Sequence, residues 1–407
     1  MASHAKDVLL VGFGAVGAVS TDSLILKRSG LARVTVVARG NYEAVNANGM
    51  EFRSRKYGNI QGWRPDRLFP NIEKALDRPY AYVVLASKAI PEIQRTPALL
   101  KPLLTPPYAD AHPQPTYVLF QNGLNVEVDL YEALKKLRPD EEPRIISTAN
   151  WIATGLLEKN VVEHGDFDRV SLGIYRPTTA PAPPTQVQAE ALADFARILS
   201  AGGSEATVVP EIQRVKFAKN LWNGVLGASA ALARCSLRAF FRPPHLEPGR
   251  EGTEPTPEER AEEDAREVRE ARETPSARAT ADVPRASAAI GAYTLPFLHD
   301  ALTEVYELGR VLFPPQGDVP GLEPDVVRRT LVNTARLHAR ADSVHVPSML
   351  VDARAGRPME VEHVVGEVVR MGRRAGVGVP RMETLYALLL VMQNQFLRKQ
   401  QEGKSQL

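Results

Sequence analysis

The chain has 407 residues, of which 44% are hydrophobic and 24% are charged, so it can bury a large core and is long enough for two or three domains. Its 50 Lys and Arg residues stand against 48 Asp and Glu residues, and the formal charge of +2 gives no general attraction to nucleic acid or to an anionic membrane. The single cysteine, Cys235, excludes an intramolecular disulfide and a Cys-x-x-Cys zinc site. We therefore predict no metal centre and a reducing compartment.

The N-terminal residues 1–7 are polar and lead into a short apolar run, 8–11, which is too short for the core of a signal peptide. No stretch of about 18 uncharged apolar residues occurs, so we predict no membrane-spanning helix. We expect a cytoplasmic protein whose partners are small molecules, with neither nucleic acid nor membrane among them.

Short apolar runs alternate with helical patterns in the first third of the chain. Five runs rich in Val, Ile, Leu and Tyr predict buried parallel strands, at residues 8–11, 34–37, 82–85, 117–120 and 145–147. Residues 15–28 and 126–137 between them have helical periodicity. The alternation predicts an α/β fold with a doubly wound parallel sheet of the Rossmann type.

The pattern changes after Trp151. Residues 160–164 and 170–174 predict the strands of a hairpin at the sheet edge, with its turn at Gly165-Asp166. A proline-rich loop at 177–184 and a helix at 187–199 follow. We expect that helix to pack on the first domain.

From about Pro210 onward almost every segment has helical periodicity. The predicted helices cover residues 211–232, 292–312, 324–340, 361–375 and 382–398. We therefore predict a Rossmann-type domain over residues 1–207 and an all-helical domain over residues 208–407. The apolar positions 388–392 of the last helix are suited to the contact of a homodimer.

Residues 242–288 interrupt the helical domain. The segment combines many prolines with a dense run of Glu and Arg, and it has almost no large apolar residue. A helix that is polar on every side has no face to bury, so we predict a disordered or solvated insertion.

A glycine-rich turn follows the first predicted strand and opens the first helix. It reads Gly12-Phe13-Gly14-Ala15-Val16-Gly17. This placement is typical of a dinucleotide-binding turn, in which glycines allow a tight turn and a close approach to a pyrophosphate at the helix N-terminus. The alternative is a glycine-rich turn without a ligand.

The residue after the second predicted strand selects between the two nicotinamide dinucleotides. An Asp or Glu there would hold the ribose 2′-hydroxyl of NAD, whereas this chain has Arg39. A guanidinium can bind a 2′-phosphate through two hydrogen bonds, so we predict NADPH as the cofactor. Lys88, just beyond the 82–85 strand, is a candidate second cationic contact. Either side chain can also be an ordinary solvated charge.

Gln121-Asn122-Gly123 follows the strand at 117–120. The carboxyl ends of parallel strands meet at one edge of the sheet, so the amide of Asn122 is predicted to lie over the nicotinamide end of the cofactor site. A plain turn is the equally weighted alternative.

Together these motifs resemble the ketopantoate reductase family, whose members use NADPH to reduce 2-dehydropantoate to pantoate. The resemblance also rests on residues 211–223, which read EIQRVKFAKNLWN, and on Ser348-Met349-Leu350-Val351-Asp352 with Glu360 beyond. It covers nearly the whole chain outside the insertion.

The resemblance implies that Lys219 is the general acid. The family has a lysine two residues after an aromatic and four before an asparagine, and Phe217, Lys219 and Asn223 match this pattern. An ammonium group can stabilise and protonate the alkoxide that hydride addition to a ketone produces. Lys216 followed by Asn220 is a competing register with the same spacing.

The resemblance further implies that Ser348 binds the substrate carboxylate and that Glu360 holds the substrate hydroxyl. We expect Asn122 and Asn223 to position the substrate together with them. Two positions depart from the family. Gly227 stands where the family usually has a second asparagine, and His345 stands where it has another, three residues before Ser348. Both positions are expected to line the substrate pocket. The resemblance therefore fixes the cofactor and the reaction type more firmly than the identity of the 2-oxo acid substrate.

We predict NADPH-dependent reduction of 2-dehydropantoate to pantoate, in pantothenate biosynthesis, in a cleft between the two domains. Two alternatives remain open. One is a reductase of the same fold that acts on another small 2-oxo acid or imine. The other is a non-catalytic NADPH-binding sensor.

Overall fold

The computed structural model describes residues 5–19, 24–177, 183–247, 256–258, 261–262, 265 and 274–405. These residues form two compact units, Met1–Lys216 and Phe217–Leu407.

The first unit is built on one sheet. Its ten strands are β1 Lys6–Val11, β2 Ala32–Val37, β3 Met50–Ser54, β4 Gly58–Trp63, β5 Arg67–Phe69, β6 Tyr82–Leu85, β7 Thr116–Leu119, β8 Ile145–Glu158, β9 Val161–Ile174 and β10 Glu205–Val208. The strand order is β4-β3-β9-β8-β7-β6-β1-β2-β5, and β10 pairs with β9.

Short helices connect these strands. They are α1 Ala15–Val19, α2 Leu24–Arg28, α3 Tyr42–Asn48, α4 Thr96–Leu99, α5 Lys101–Leu104, α6 Tyr108–Ala111, α7 Val128–Leu137 and α8 Gln186–Ala201. Two apolar clusters cover the two faces of the sheet. Leu10 and Phe195 belong to one cluster, and Leu9 and Leu130 to the other. Strands buried on both faces are the reason for the continuous apolar runs.

The predicted parallel sheet is confirmed. β1 pairs in parallel with β2 and β6, and the parallel pairing continues through β6, β7 and β8. The carboxyl ends of these strands therefore meet at one edge. Strands β3, β4, β5 and β10 were not predicted.

The predicted hairpin at 160–174 is wrong. Val161–Ile174 is a single strand, and it pairs antiparallel with β8 from Ile146 to Glu158. Gly165 lies inside this strand and packs closely on β8, where an added Cβ would lie 3.1 Å from the Cβ of Ala153. The real turn lies between Glu158 and Val161.

The second unit is helical over its described residues, as predicted. Its helices are α9 Ile212–Leu221, which begins in the first unit, α10 Ala228–Ala233, α11 Arg238–Phe241, α12 Pro275–Thr280, α13 Leu295–Leu312, α14 Val326–Ala339, α15 Ser348–Arg354, α16 Glu367–Ala375 and α17 Pro380–Ser405. Wider π-helical turns at Trp222–Gly227, Ile290–Thr294 and Glu362–Gly366 lead into α10, α13 and α16.

The division between the units falls after Lys216, nine residues beyond the predicted limit at 207. The first turns of α9 remain with the first unit because Ile212 packs on Gly173, where an added Cβ would lie 2.8 Å from the Ile212 Cβ. In addition, the Gln213 side chain donates to the carbonyl of Arg176.

The predicted disordered insertion, 242–288, is corrected at both ends. Arg242 is buried, and α12 packs against α13 with Thr280 and Val283 in the interior. Thr274 caps α12 by accepting a hydrogen bond from the amide of Ala277 at 3.1 Å. Most of the sequence between 248 and 273 lies outside the described residues.

Among the described residues, no helix is both long and apolar enough to cross a membrane. On α17, Leu388 and Val391 are exposed. The homodimer contact at 388–392 stays a prediction.

Arg242 is the largest fully buried side chain of the second unit. Its guanidinium donates to the carbonyls of His338 at 3.2 Å and Ser343 at 3.3 Å and to that of Arg340, and it pairs with Glu247 at 3.0 Å. One side chain therefore satisfies the carbonyls at the end of α14 and in the loop that follows.

We predict that Arg242→Met lowers the free energy of unfolding by about 3 kcal/mol, because it leaves Glu247 and several carbonyls without their donor. Urea unfolding measures this change. The matched control is Arg340→Ala, which removes only an exposed pair with Asp342 and should cost at most about 1 kcal/mol. Equal effects of the two changes would contradict the anchoring role of Arg242.

His338 lies beside this anchor with no exposed surface, and neither of its ring nitrogens has a hydrogen-bond partner. Burial, together with the nearby His345, Arg242 and Arg238, lowers the pKa of His338 to about 4. The folded chain therefore holds a neutral imidazole where the unfolded chain takes up a proton near the ordinary pKa.

We predict that the stability contributed by a neutral His338 is fully present above the unfolded pKa of about 6.5 and is lost as the pH falls toward 4. Relative to His338→Leu, the wild-type chain should lose about 2 kcal/mol between neutral pH and about pH 4.5. Urea unfolding of both proteins across this range measures the difference. Parallel pH profiles would rule out this role of His338.

Candidate functional site

The glycine turn between β1 and α1 is held by close backbone contacts. Gly12 has φ +103°, and an added Cβ would lie 2.6 Å from the amide nitrogen of Ser87. At Gly17 it would lie 2.1 Å from the carbonyl oxygen of Gly12. Neither position can therefore hold a side chain without moving the end of β6 or the turn itself.

Gly14 differs from the other two glycines, since an added Cβ there would meet no atom within 4 Å. The middle of the turn is thus open, while its two ends are packed. This division matches the roles of the three glycines in a dinucleotide turn: a tight turn, room for a pyrophosphate and close packing of helix on strand. The glycine turn of this chain therefore fits the pyrophosphate of a dinucleotide.

Asn41, which the sequence analysis did not single out, ties this turn to the end of β2. Its buried side-chain amide donates to the carbonyl of Phe13 at 2.7 Å. The ring of Phe13 is itself buried, with its centroid 6.3 Å from that of Trp63. The buried ring of Phe13 therefore packs beneath the glycine turn and stabilises it. The signal available in sequence was an asparagine directly after Arg39-Gly40.

Two predicted cationic contacts stand at the same edge of the sheet. Arg39 follows β2 and is exposed, with one guanidinium nitrogen 3.2 Å from the side-chain oxygen of Gln94. Lys88 follows β6 and is also exposed. Both cationic side chains are therefore accessible at the carboxyl edge, where ligands of parallel sheets bind.

Gln121 and Asn122 follow β7 at this edge. The Gln121 side chain donates to the carbonyl of Ser87 at 3.0 Å, so the end of β7 is joined to the segment that also contacts Gly12. The Gln121 Oε1 and the Ser87 Oγ are buried and have no protein partner. Two unsatisfied polar atoms lie therefore beside the glycine turn.

A buried polar cluster lies behind the turn that contains Asn122. The Glu127 carboxylate accepts hydrogen bonds from the Ser147 hydroxyl and from the Lys216 ammonium, and all three residues are buried. Ser147 belongs to β8 and Lys216 to α9. Lys216, the competing candidate for the acid, is thus committed to an ion pair inside the first unit.

In the second unit, the end of α9 with Lys219 and the following turn with Asn223 pack against the segment of Glu360. The Asn220 side chain donates to the carbonyl of Val364 at 2.8 Å, and the amide of Val364 in turn donates to the carbonyl of Glu360 at 3.1 Å. Gly224 permits this approach, because an added Cβ would lie 3.2 Å from the same Val364 carbonyl. Lys219, Asn223 and Glu360 are all partly exposed.

Ser348 is the first residue of α15 and is exposed. Helix α15 packs against both the Trp222–Gly227 turn and α10. Arg234, just after α10, donates to the carbonyl of Ala353 at 3.0 Å. The structure therefore brings the segments of Lys219, Asn223, Ser348 and Glu360 together in one unit.

The two departures from the resembled family have distinct surroundings. An added Cβ at Gly227 would meet nothing within 4 Å, so this position leaves open space. The His345 ring lies edge-on to Trp222 at a centroid distance of 5.5 Å, and burial lowers its pKa. Trp222 precedes Asn223 and donates to the Thr334 hydroxyl at 3.0 Å.

Among the residues that the structure describes, no group of three or more His, Cys, Asp and Glu side chains is arranged to hold a metal ion.

Comparison with protein families gives two matches. The family model described as ketopantoate reductase PanE/ApbA matches residues 8–177. The model described as ketopantoate reductase PanE/ApbA C terminal matches residues 291–393. One match lies within each compact unit.

The individual proteins that resemble this chain have low sequence identity to it. An uncharacterized protein of Saccharomyces cerevisiae, YDL144C, is 25% identical over 398 residues, which is 95% of this chain and 93% of that protein. The crystal structure of 2-dehydropantoate 2-reductase from Geobacter metallireducens has a TM-score of 0.65 and 21% identity, over 94% of this chain and 98% of that one. A D-mandelate dehydrogenase in a ternary structure with NADH and anilino(oxo)acetate has a TM-score of 0.64 and 15% identity, over 96% and 99% of the chains.

The structural similarities, all below 25% identity, show a shared fold, and the two family models cover most of the described sheet and helices. The resemblance inferred from the motifs is confirmed: the chain belongs to the ketopantoate reductase PanE/ApbA family.

Proposed function

We propose that the chain is an NADPH-dependent reductase of 2-oxo acids and that 2-dehydropantoate is its substrate. The observation that carries the proposal is the glycine turn, which is closed by backbone contacts at Gly12 and Gly17 and open at Gly14. Such a turn suits a bound pyrophosphate. Members of the family with this fold include 2-dehydropantoate 2-reductases.

The first unit would hold the cofactor. Backbone groups of residues 12–17 would face the pyrophosphate, Arg39 and Lys88 would bind the 2′-phosphate, and Asn122 would contact the nicotinamide half. When bound, the cofactor supplies a hydride. The buried unsatisfied atoms of Gln121 and Ser87 support a polar ligand at this edge.

The second unit would hold the substrate. Ser348 would bind the carboxylate, Asn223 would orient the oxo group, and Glu360 would hold the hydroxyl. Lys219 would place its ammonium beside the oxo oxygen, stabilise the alkoxide and give it a proton. The buried pair of Lys216 with Glu127 supports Lys219 as the acid, because the Lys216 ammonium already binds a carboxylate inside the first unit.

A second candidate is the reduction of a bulkier 2-oxo acid. Two observations favour it: the open space beside Gly227 and the aromatic edge that Trp222 and His345 form next to Asn223. A D-mandelate dehydrogenase with the same fold has been solved with anilino(oxo)acetate, an aromatic oxo acid. A larger planar substituent would contact such an edge through dispersion and aromatic packing.

The glycine turn yields a paired prediction. Gly14→Ala should leave the thermal midpoint unchanged, because the new methyl group meets no atom, but it should weaken NADPH binding about tenfold by occupying the open space. Gly12→Ala should lower the thermal midpoint as well, because its Cβ collides with Ser87. Titration calorimetry and thermal unfolding measure both. Undiminished NADPH binding by Gly14→Ala would argue against a dinucleotide in this turn.

For Lys219, we predict that replacement by Ala lowers kcat at least about a hundredfold and leaves the Kd for NADPH within about twofold, since the ammonium acts on the substrate oxygen. Steady-state kinetics and calorimetry measure the two quantities. Lys136→Ala, which removes a lysine of α7, is the matched control and should leave both unchanged. Near-normal turnover by the Lys219 variant would exclude it as the acid.

The proposal as a whole is tested by a panel of 2-oxo acids, including 2-dehydropantoate and phenylglyoxylate, with NADPH and NADH compared as hydride donors. We expect the highest kcat/KM with 2-dehydropantoate and NADPH. A preference for phenylglyoxylate would select the bulkier class. Tight NADPH binding without turnover of any oxo acid would favour a non-catalytic sensor.

A further inference from the structure

The buried cluster of Glu127, Ser147 and Lys216 joins three elements of the first unit. The Glu127 carboxylate lies one residue before α7, Ser147 lies in β8, and Lys216 lies in α9. Glu127 is 1% exposed and Lys216 is 6% exposed. Such a pair is costly to desolvate, and apolar residues of similar volume would often be at least as stabilising. Stability alone therefore does not account for it.

The carboxylate end of the pair anchors the Asn122 turn. From Asn122 the chain passes through Gly123 with φ 90° and Asn125 with φ 55°, both in the left-handed region, before it reaches Glu127. Leu124 and Val126 within the turn are buried. Glu127 is thus the polar anchor of a turn whose backbone permits few other conformations.

The ammonium end of the pair lies on the helix of the proposed acid. Lys216 precedes Lys219 by one helical turn within α9, so their Cβ atoms are about 5–6 Å apart and their directions differ by about 60°. A charge-assisted hydrogen bond at Lys216 therefore restrains the rotation and the axial position of α9. The direction in which α9 presents Lys219 follows from that restraint.

We propose that Glu127 and Lys216 are a positioning pair for the reduction. The pair locks α9 to the Asn122 turn and to β8, and thereby fixes the orientation of Lys219 during proton transfer. This inference rests on the proposed function. A misplacement of a reacting group by about 1 Å costs on the order of a hundredfold in rate, which is why a directional contact has value here that an apolar contact lacks.

The test uses the double variant Glu127→Gln/Lys216→Met. It removes both charges and nearly preserves the side-chain lengths, and the amide oxygen introduced at position 127 can still accept from the Ser147 hydroxyl. Ser147→Ala is a milder second variant that retains the ion pair. For each protein we would measure the thermal midpoint, the Kd for NADPH, and kcat and KM for the best oxo acid of the panel.

We expect the folded double variant to lose about tenfold in kcat while KM and the NADPH Kd stay within about twofold, and Ser147→Ala to lose about threefold in kcat. The matched control is Lys56→Met/Asp168→Asn. It removes another ion pair of the first unit, at 3.2 Å, whose carboxylate is buried and whose residues lie outside α7 and α9. Its kcat should be unchanged even where its thermal midpoint falls.

Wild-type kcat in Ser147→Ala and in the folded double variant would overturn the inference and leave the proposed function intact. If the double variant does not fold, an unchanged kcat in Ser147→Ala is sufficient to overturn it. If the wild-type chain binds NADPH but reduces no oxo acid, the proposed function and this inference both fail.

Discussion

The close approach of the glycine turn to the end of β6 is the steric constraint on which the first unit depends. Gly12 leaves no room for a side chain against Ser87, and Gly17 leaves none against Gly12. The carbonyl of Ser87 accepts a hydrogen bond from the Gln121 side chain, and the carbonyl of Phe13 accepts one from the Asn41 side chain. The loops after β1, β2, β6 and β7 are thus joined by short contacts at one edge of the sheet, which is the edge where α/β folds bind ligands.

The second unit depends on polar groups in its interior. Arg242 is buried and satisfies the carbonyls at the end of α14, while His338 beside it stays neutral at ordinary pH. Asn220 and Gly224 allow the helix of Lys219 to pack against the segment of Glu360. Because α9 begins in the first unit at Ile212 and ends at Leu221, one helix carries both the buried Lys216 and the partly exposed Lys219. Two lysines of one helix therefore have different surroundings.

Two residues of the second unit, Gly227 and His345, depart from the pattern of the family to which this chain belongs. Gly227 leaves open space, and His345 and Trp222 place an aromatic edge next to Asn223. These two features are the basis of the second candidate substrate, a 2-oxo acid with a wider substituent than 2-dehydropantoate. The proposed machinery for hydride acceptance and protonation does not require a particular substituent, so reaction type and substrate identity are separable questions.

The sequence by itself determined the parallel sheet, the helical second half, the glycine turn and the family, because apolar runs, glycine spacing and residue motifs are local signals. The resemblance favours Lys219 as the acid, but Lys216 also has an asparagine four residues on, so the sequence left it as a competing candidate. In the structure Lys216 is buried against Glu127, 89 positions away in the chain, whereas Lys219 is partly exposed, and this difference supports the proposal of Lys219 as the acid. The wrong predictions of a hairpin at Gly165 and of disorder throughout residues 242–288 have the same cause. Strand pairing across β8 and the burial of Arg242 are decided by residues far apart in the chain, which only the tertiary structure brings together.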